Sequence, residues 1–169
     1  MEETTLTLHT SFNLGDVDPR IFGGFLEHMG RCVYEGVFEP GSVHADEDGF
    51  RRDVLNALDR LKLPVVRYPG GNFASGYHWL DGVGPVGARP TVRELAWQSV
   101  ETNHFGTEEF MRLCQKLDWT PMLAINLGTG TPEEARNWVE YCNSPTGTRY
   151  ADLRADNASV APHAVPLWC

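Results

Sequence analysis

The sequence predicts an α/β protein built on a parallel sheet. Strand and helix signals alternate along the chain, and the strand segments are continuous apolar runs, the pattern of strands covered on both faces. With 169 residues, 41% of them hydrophobic, the chain can bury one sizeable core. Two architectures share this pattern, an open doubly wound sheet and a (β/α)₈ barrel. A full barrel takes about 200 to 250 residues or more, so about four strands in this length would be half of one. No internal repeat or low-complexity tract points to a solenoid.

The first element, "TLTLHTSFNLG" (5–15), alternates apolar and polar residues and ends in turn formers, which predicts a half-exposed strand of a separate sheet. Next comes the apolar run "IFGGFLE" (21–27), followed by a loop rich in Gly, Pro and acidic residues to about Asp48. "DEDGFRRDVLNALDRLK" (46–62) places Phe50, Val54, Leu55, Leu58 and Leu61 at three-to-four spacing and predicts an amphipathic helix. It leads into "LPVVRYP" (63–69), a β-branched strand ended by Pro69, and then a long loop to about Pro90. A second helix is predicted over 107–117, with Thr107 as N-cap and Phe110, Met111, Cys114 and Leu117 inward. "TPMLAINLG" (120–128) reads as a third strand. In "TPEEARNWVEYCN", Thr131 as N-cap, Pro132 at the first position and Glu134 three residues after the cap announce a helix with a capping box. Its buried stripe is Ala135, Trp138, Val139 and Cys142. "AVPLWC" reads as a fourth strand, after a loop.

Composition narrows the function classes. With 14 Lys and Arg against 23 Asp and Glu, the formal charge of −9 repels a phosphate backbone, so no nucleic-acid partner is expected. No apolar run is long enough to span a bilayer and the N-terminus lacks the pattern of a secretory signal, which excludes a membrane partner and predicts a cytoplasmic protein. The four cysteines form no CxxC and read as reduced, mostly buried thiols; no HExxH or HxxxH pair supports a metal site. A GxGxxG at 82–87 follows no strand and carries a central proline, so no dinucleotide cofactor is predicted.

The candidate chemistry lies at the strand ends. Glu27 and His28 follow the first barrel-type strand, Arg67 and Asn72 bracket the end of "VVRYPGGN", and Asn126 ends "MLAIN". In parallel α/β folds the carboxyl ends of the strands carry the ligand, because the loops converge there on a rigid frame. Simpler readings stand beside each residue. Glu27 has Arg31 four residues on as an ordinary ion-pair partner, His28 points away from Glu27 and reads as structural, and Asn126 reads as a turn residue. Arg67 is harder to dismiss, since a charge within an apolar strand needs a carboxylate. Gly70 and Gly71 allow a tight turn or close approach to a ligand. Trp79 and Trp97 are possible sugar platforms, whereas Trp138 reads as core.

The stretches "IFGGFLEHMGRCVYEGVFEPGS", "VVRYPGGNFASGYHWLDGVGP", "LAWQSVETNHFGTEEFM" and "INLGTGTPEEARNWVEYCN" resemble the α-L-arabinofuranosidases of glycoside hydrolase family 51, over nearly the whole chain. The resemblance implies that residues 16–169 are the N-terminal half of a (β/α)₈ TIM barrel and that residues 1–15 supply a strand to an accessory β-sandwich. It implies retaining hydrolysis of terminal α-L-arabinofuranosyl groups from arabinan- or arabinoxylan-type oligosaccharides, by a homo-oligomeric enzyme without cofactor or metal. Retention requires two carboxyl groups about 5 to 5.5 Å apart. The family draws them from the ends of strands four and seven, so the acid/base is expected just after Cys169 and the nucleophile further on, and these 169 residues are expected to be inactive alone. By the same resemblance Glu27 and Asn72 bind sugar hydroxyls, Trp97 lines the pocket and Arg67 supports the nucleophile. A non-catalytic arabinose- or oligosaccharide-binding fragment, and a xylosidase or endoglucanase of the same clan, are the alternatives.

Overall fold

The computed structural model describes residues 3–169. Four short strands, β1 (Gly24–Phe25), β2 (Val65–Tyr68), β5 (Thr120–Leu123) and β6 (Leu167–Trp168), form one parallel sheet in the order β1-β2-β5-β6. Between β2 and β5, β3 (Val92–Arg93) and β4 (Val100–Glu101) form a small antiparallel hairpin. The helices are α1 (Arg52–Asp59), α2 (Thr107–Leu117), α3 (Pro132–Asn143) and α4 (Arg149–Asn157). Helical segments therefore separate successive sheet strands, as the alternating pattern requires for parallel pairing.

Register sorts the side chains. Phe25, Arg67, Met122 and Leu167 are aligned across the sheet and share one face, which is only half covered. Val66, Tyr68 and Leu123 fall on the other side of their strands and are buried in the core. That core is largely aromatic. Tyr68 stacks on Phe110 of α2 with centroids 4.6 Å apart, and Phe38, Phe50 and Phe105 meet edge to face beside it. Trp79 lies parallel to Trp138 of α3 at 6.1 Å. Each such pair is worth about 0.5–1.5 kcal/mol beyond the area it buries.

The long connection after β2 is tied down by a buried pair. Arg89 donates to both carboxylate oxygens of Glu109 at 3.0 and 3.1 Å, and also to the carbonyls of Gly84 and Asn103. Burial of such a pair is tolerable because the remaining donors are satisfied.

Several expectations need correction. Residues 5–15 form no strand: a 3₁₀ turn spans Thr10–Phe12, and Leu6 and Leu8 are exposed because no neighbouring sheet edge takes up their backbone groups. The second helix is capped by Gly106, not Thr107. Glu109 accepts the Gly106 N–H at 2.8 Å, while the Thr107 hydroxyl accepts from the Trp138 indole at 3.0 Å. In α3, Thr131 caps Glu134 N as expected, but the Glu134 carboxylate turns to His78 instead of closing the box. Val139 faces outward and Tyr141 takes the buried position. Leu61 is exposed beyond the end of α1, and Phe50 is buried ahead of its start. Helix α4 and the β3–β4 hairpin went unpredicted. Only Cys114 and Cys142 are buried; Cys32 and Cys169 are exposed.

Candidate active site

Because the four sheet strands are parallel, their carboxyl ends share one edge, and the loops leaving β1, β2 and β5 meet there. β1 is continued toward this edge by Leu26 N–H donating to Arg67 O at 2.8 Å and His28 N–H to Pro69 O at 3.3 Å. Glu27 is thereby placed directly against the turn after β2. Its Oε1 accepts the Phe73 N–H at 3.0 Å, and Oε2 has no protein donor among the described residues. The alternative pairing with Arg31 does not form; Arg31 pairs with Glu35 at 3.0 Å on the surface.

Gly70 explains how Glu27 comes so close. Its φ of +147° suits glycine, and a Cβ built there would lie 2.9 Å from both Cβ and Cδ of Glu27 and nearer still to Cγ. Gly71 has no such constraint, since a Cβ there would first meet the Phe25 ring at an ordinary 3.5 Å. The close approach at Gly70 is to a protein carboxylate, whose other oxygen accepts no hydrogen bond among the described residues.

Arg67 lies on the half-open face of the sheet with its guanidinium 4.3 Å from the Phe25 ring centroid. No carboxylate lies within ion-pair distance of it among the described residues. A cation stacked on an aromatic ring gains about 0.5–1 kcal/mol at exposed sites and keeps its N–H donors available for an anion.

Asn72 is exposed at the start of a 3₁₀ turn, Phe73–Gly76, and its side-chain amide makes no hydrogen bond among the described residues. It borders an open cleft of about 470 Å³, completed by Ser75, Gly76, Leu95, Ala96, Gly128 and Thr129. The far wall comes from the tip of the β3–β4 hairpin. There Trp97 is 40% exposed, and its backbone N–H, with that of Ala96, is held by the buried Glu94 carboxylate. Trp97 is thus a partly exposed indole that follows the wall residue Ala96 but does not itself line this cleft. Trp79 is buried against Trp138 and Tyr141, and its indole N–H donates to Glu134 O at 3.1 Å.

Asn126 is consumed by its own turn. Its Oδ1 accepts from Gly128 N and Thr129 N, and its Nδ2 donates to Tyr77 O and Thr129 Oγ1, so it shapes the cleft wall without a free polar atom for a ligand. His28 is buried, with Nδ1 2.9 Å from Glu101 and Nε2 3.1 Å from the Tyr68 hydroxyl. Burial pushes the Glu101 carboxyl up, but the bonds from His28, Tyr34 and Asn103 N–H outweigh it and leave it below the usual range. Glu101, Tyr34 and Glu94 escaped the sequence reading because no local spacing marks them.

Asp46, Glu47 and Asp48 place carboxylate oxygens within 4.8 Å of one another, the one acidic cluster of metal-binding size among the described residues. Lys116 Nζ already stands there, 3.0 Å from Asp46 and 2.7 Å from Asp48. The cluster therefore reads as an ion-pair network joining the loop to α2. No helix of the described residues is long and apolar enough to cross a membrane.

Residues 57–169 match the family described as the alpha-L-arabinofuranosidase 1 domain. The chain is 51% identical over 167 residues to a probable alpha-L-arabinofuranosidase C of Aspergillus fumigatus, covering 99% of this chain and 33% of that relative. It is 48% identical over 169 residues to an intracellular exo-alpha-(1->5)-L-arabinofuranosidase 1 of Bacillus subtilis, covering 100% of this chain and 34% of that one. An arabinose complex of an alpha-L-arabinofuranosidase from Thermotoga maritima superposes with a TM-score of 0.85 at 51% identity, over 86% of this chain and 30% of the other. The chain spans about a third of the length of these relatives.

Proposed function

The chain belongs to the alpha-L-arabinofuranosidase 1 domain family, and from that premise we propose that it forms the sugar-holding part of a retaining α-L-arabinofuranosidase. One observation carries this reading: Glu27, Arg67 and Asn72 stand at a single edge of a parallel sheet, each with a polar group lacking a protein hydrogen-bond or ion-pair partner among the described residues. Glu27 Oε2 and the Asn72 amide are suited to the hydroxyls of an arabinofuranose, and Trp97 to its apolar face. Arg67 supplies a fixed positive charge beside which a nucleophilic carboxylate stays ionised.

The acid/base and nucleophile then come from strands outside these 169 residues. The sheet order supports a barrel rather than a doubly wound sheet, because successive strands add in one direction with no reversal. The half-covered row of Phe25, Arg67, Met122 and Leu167 would be the wall that further strands enclose. Residues 5–15, which form no strand by themselves and leave Leu6 and Leu8 exposed, would add one to a β-sandwich elsewhere in the intact protein. A cytoplasmic location is favoured by the relative whose name is intracellular.

Turnover of an aryl α-L-arabinofuranoside tests the proposal. The intact protein should hydrolyse it in preference to the xyloside, and the 169 residues alone should not. Asn72→Ala should lower kcat/KM of the intact protein by about 10- to 100-fold, the effect of leaving a sugar hydroxyl without its partner. Preference for xylosides, or an unaffected Asn72→Ala variant, would refute this assignment.

A further inference from the structure

Glu27 and His28 are neighbours in sequence, and both grip Phe73. Glu27 Oε1 accepts the Phe73 N–H, while the His28 imidazole lies flat on the Phe73 ring, with centroids 4.4 Å apart and 11° between planes. The imidazole is fixed at both nitrogens, by Glu101 and by the Tyr68 hydroxyl. Glu101 is fixed in turn: its other oxygen accepts from the Tyr34 hydroxyl and from Asn103 N–H at 2.7 Å. The Tyr34 hydroxyl accepts the Phe105 N–H, and the Tyr68 hydroxyl donates to the Phe105 carbonyl.

Filling space does not require this arrangement. A buried His–Glu pair costs desolvation that an apolar pair of the same volume would avoid. What the imidazole adds is orientation, because a ring bonded at both ends cannot turn. Phe73 directly follows Asn72, so the ring that fixes Phe73 also fixes the backbone that presents the free Asn72 amide.

We infer that His28 is a positioning residue for the sugar: clamped by Glu101 and Tyr68, it holds Phe73 in place and through it sets both the Glu27 carboxylate and the Asn72 amide. This rests on the reading that Glu27 and Asn72 bind the arabinofuranose. The clamp links the β3–β4 hairpin, which carries Glu101, to the ends of β1 and β2, so that the two cleft walls built by Asn72–Gly76 and Leu95–Ala96 share one registration point.

Two measurements on the intact protein test it. Amide exchange at Phe73 should quicken at least tenfold in His28→Ala, while the Ala124 amide, bonded to Tyr68 O within the sheet, should be unaffected. In kinetics, His28→Ala should lower kcat/KM about tenfold, mostly through KM, and should cost clearly less, the Glu27 share alone, when Asn72 is already alanine. Should His28→Ala fail to fold, Glu101→Gln, which keeps hydrogen-bonding capacity, and His28→Gln allow the same comparisons, with the former retaining most activity and the latter losing it. An unchanged Phe73 amide, or a full tenfold loss repeated in the Asn72→Ala background, would overturn the inference. A wild-type protein with no arabinofuranosidase activity would sink the proposed function instead, and the Phe73 amide would still decide the clamp.

Discussion

Replacing Gly70 with alanine puts a methyl group where Glu27 already stands. Two costs follow from the geometry. At φ +147° an L-residue is strained by about 1–2 kcal/mol. The new Cβ would also lie within 2.9 Å of Glu27 Cβ and Cδ, whereas carbon atoms rest at about 3.5–4.0 Å, so the Glu27 side chain must retreat by about 1 Å. That retreat breaks the bond from Phe73 N–H to the carboxylate, a charge-assisted contact worth about 1.5–3 kcal/mol. The sum is a destabilisation of about 2.5–5 kcal/mol, read as a lowered denaturant midpoint. Displacing a substrate-positioning group by 1 Å lowers turnover by about 10²-fold, so kcat/KM on an aryl arabinofuranoside should fall by about that factor. Gly71→Ala is the internal control: its Cβ meets Phe25 at 3.5 Å, and both stability and kcat/KM should stay near wild type. A Gly70→Ala variant within threefold of wild-type kcat/KM would refute the claim that the glycine exists to admit Glu27.

Two further outcomes are expected away from the sugar. Arg154 is fully buried and donates to the carbonyls of Tyr141, Ser144, Ser159 and Val160, closing the end of α3 over the loop that follows α4. Arg154→Met keeps much of the volume but strands these acceptors, and urea unfolding should show a loss of about 2–4 kcal/mol; a loss below about 0.5 kcal/mol would mean that water replaces the guanidinium. At Glu108, burial pushes the carboxyl up, but hydrogen bonds from His163 (2.9 Å) and Tyr141 (2.7 Å) outweigh it and hold it below the usual range. A depressed carboxylate stabilises the fold above its unfolded value, about 4.3, and the contribution disappears as pH falls through the lower folded value. Glu108→Gln should therefore be less stable than wild type at pH 7 and converge with it below about pH 4, as urea midpoints across that range would reveal; a gap that widens in acid would contradict the sign.

What could be read from the sequence was whatever a short segment decides alone. The β-branched run of β2, the capped start of α3 and the apolar spacing of α2 each announce themselves within a dozen residues, and all three form near the expected places. The strand-end logic that selected Glu27, Arg67 and Asn72 is equally local, needing only a parallel strand and the polar residue after it. Helix α4 was missed because "RYADLRADN" carries little apolar surface, and much of its anchorage is the buried Arg154 reaching carbonyls on other segments. Trp79 was misjudged for a related reason: an indole in a loop looks the same whether it faces solvent or Trp138, and only the helix arriving 59 residues later decides. The His28–Glu101 contact spans 73 residues, with no period to betray it. Groups that would touch the sugar are thus advertised by their own strands, whereas groups that would hold them in place belong to distant loops. Their sequence trace is an unexplained polar residue, such as Glu101, within an otherwise featureless segment. Such a residue gains its meaning from burial: a carboxylate 5% exposed must be answered by donors, and following those donors leads from Glu101 through His28 to the two residues proposed to bind the arabinofuranose.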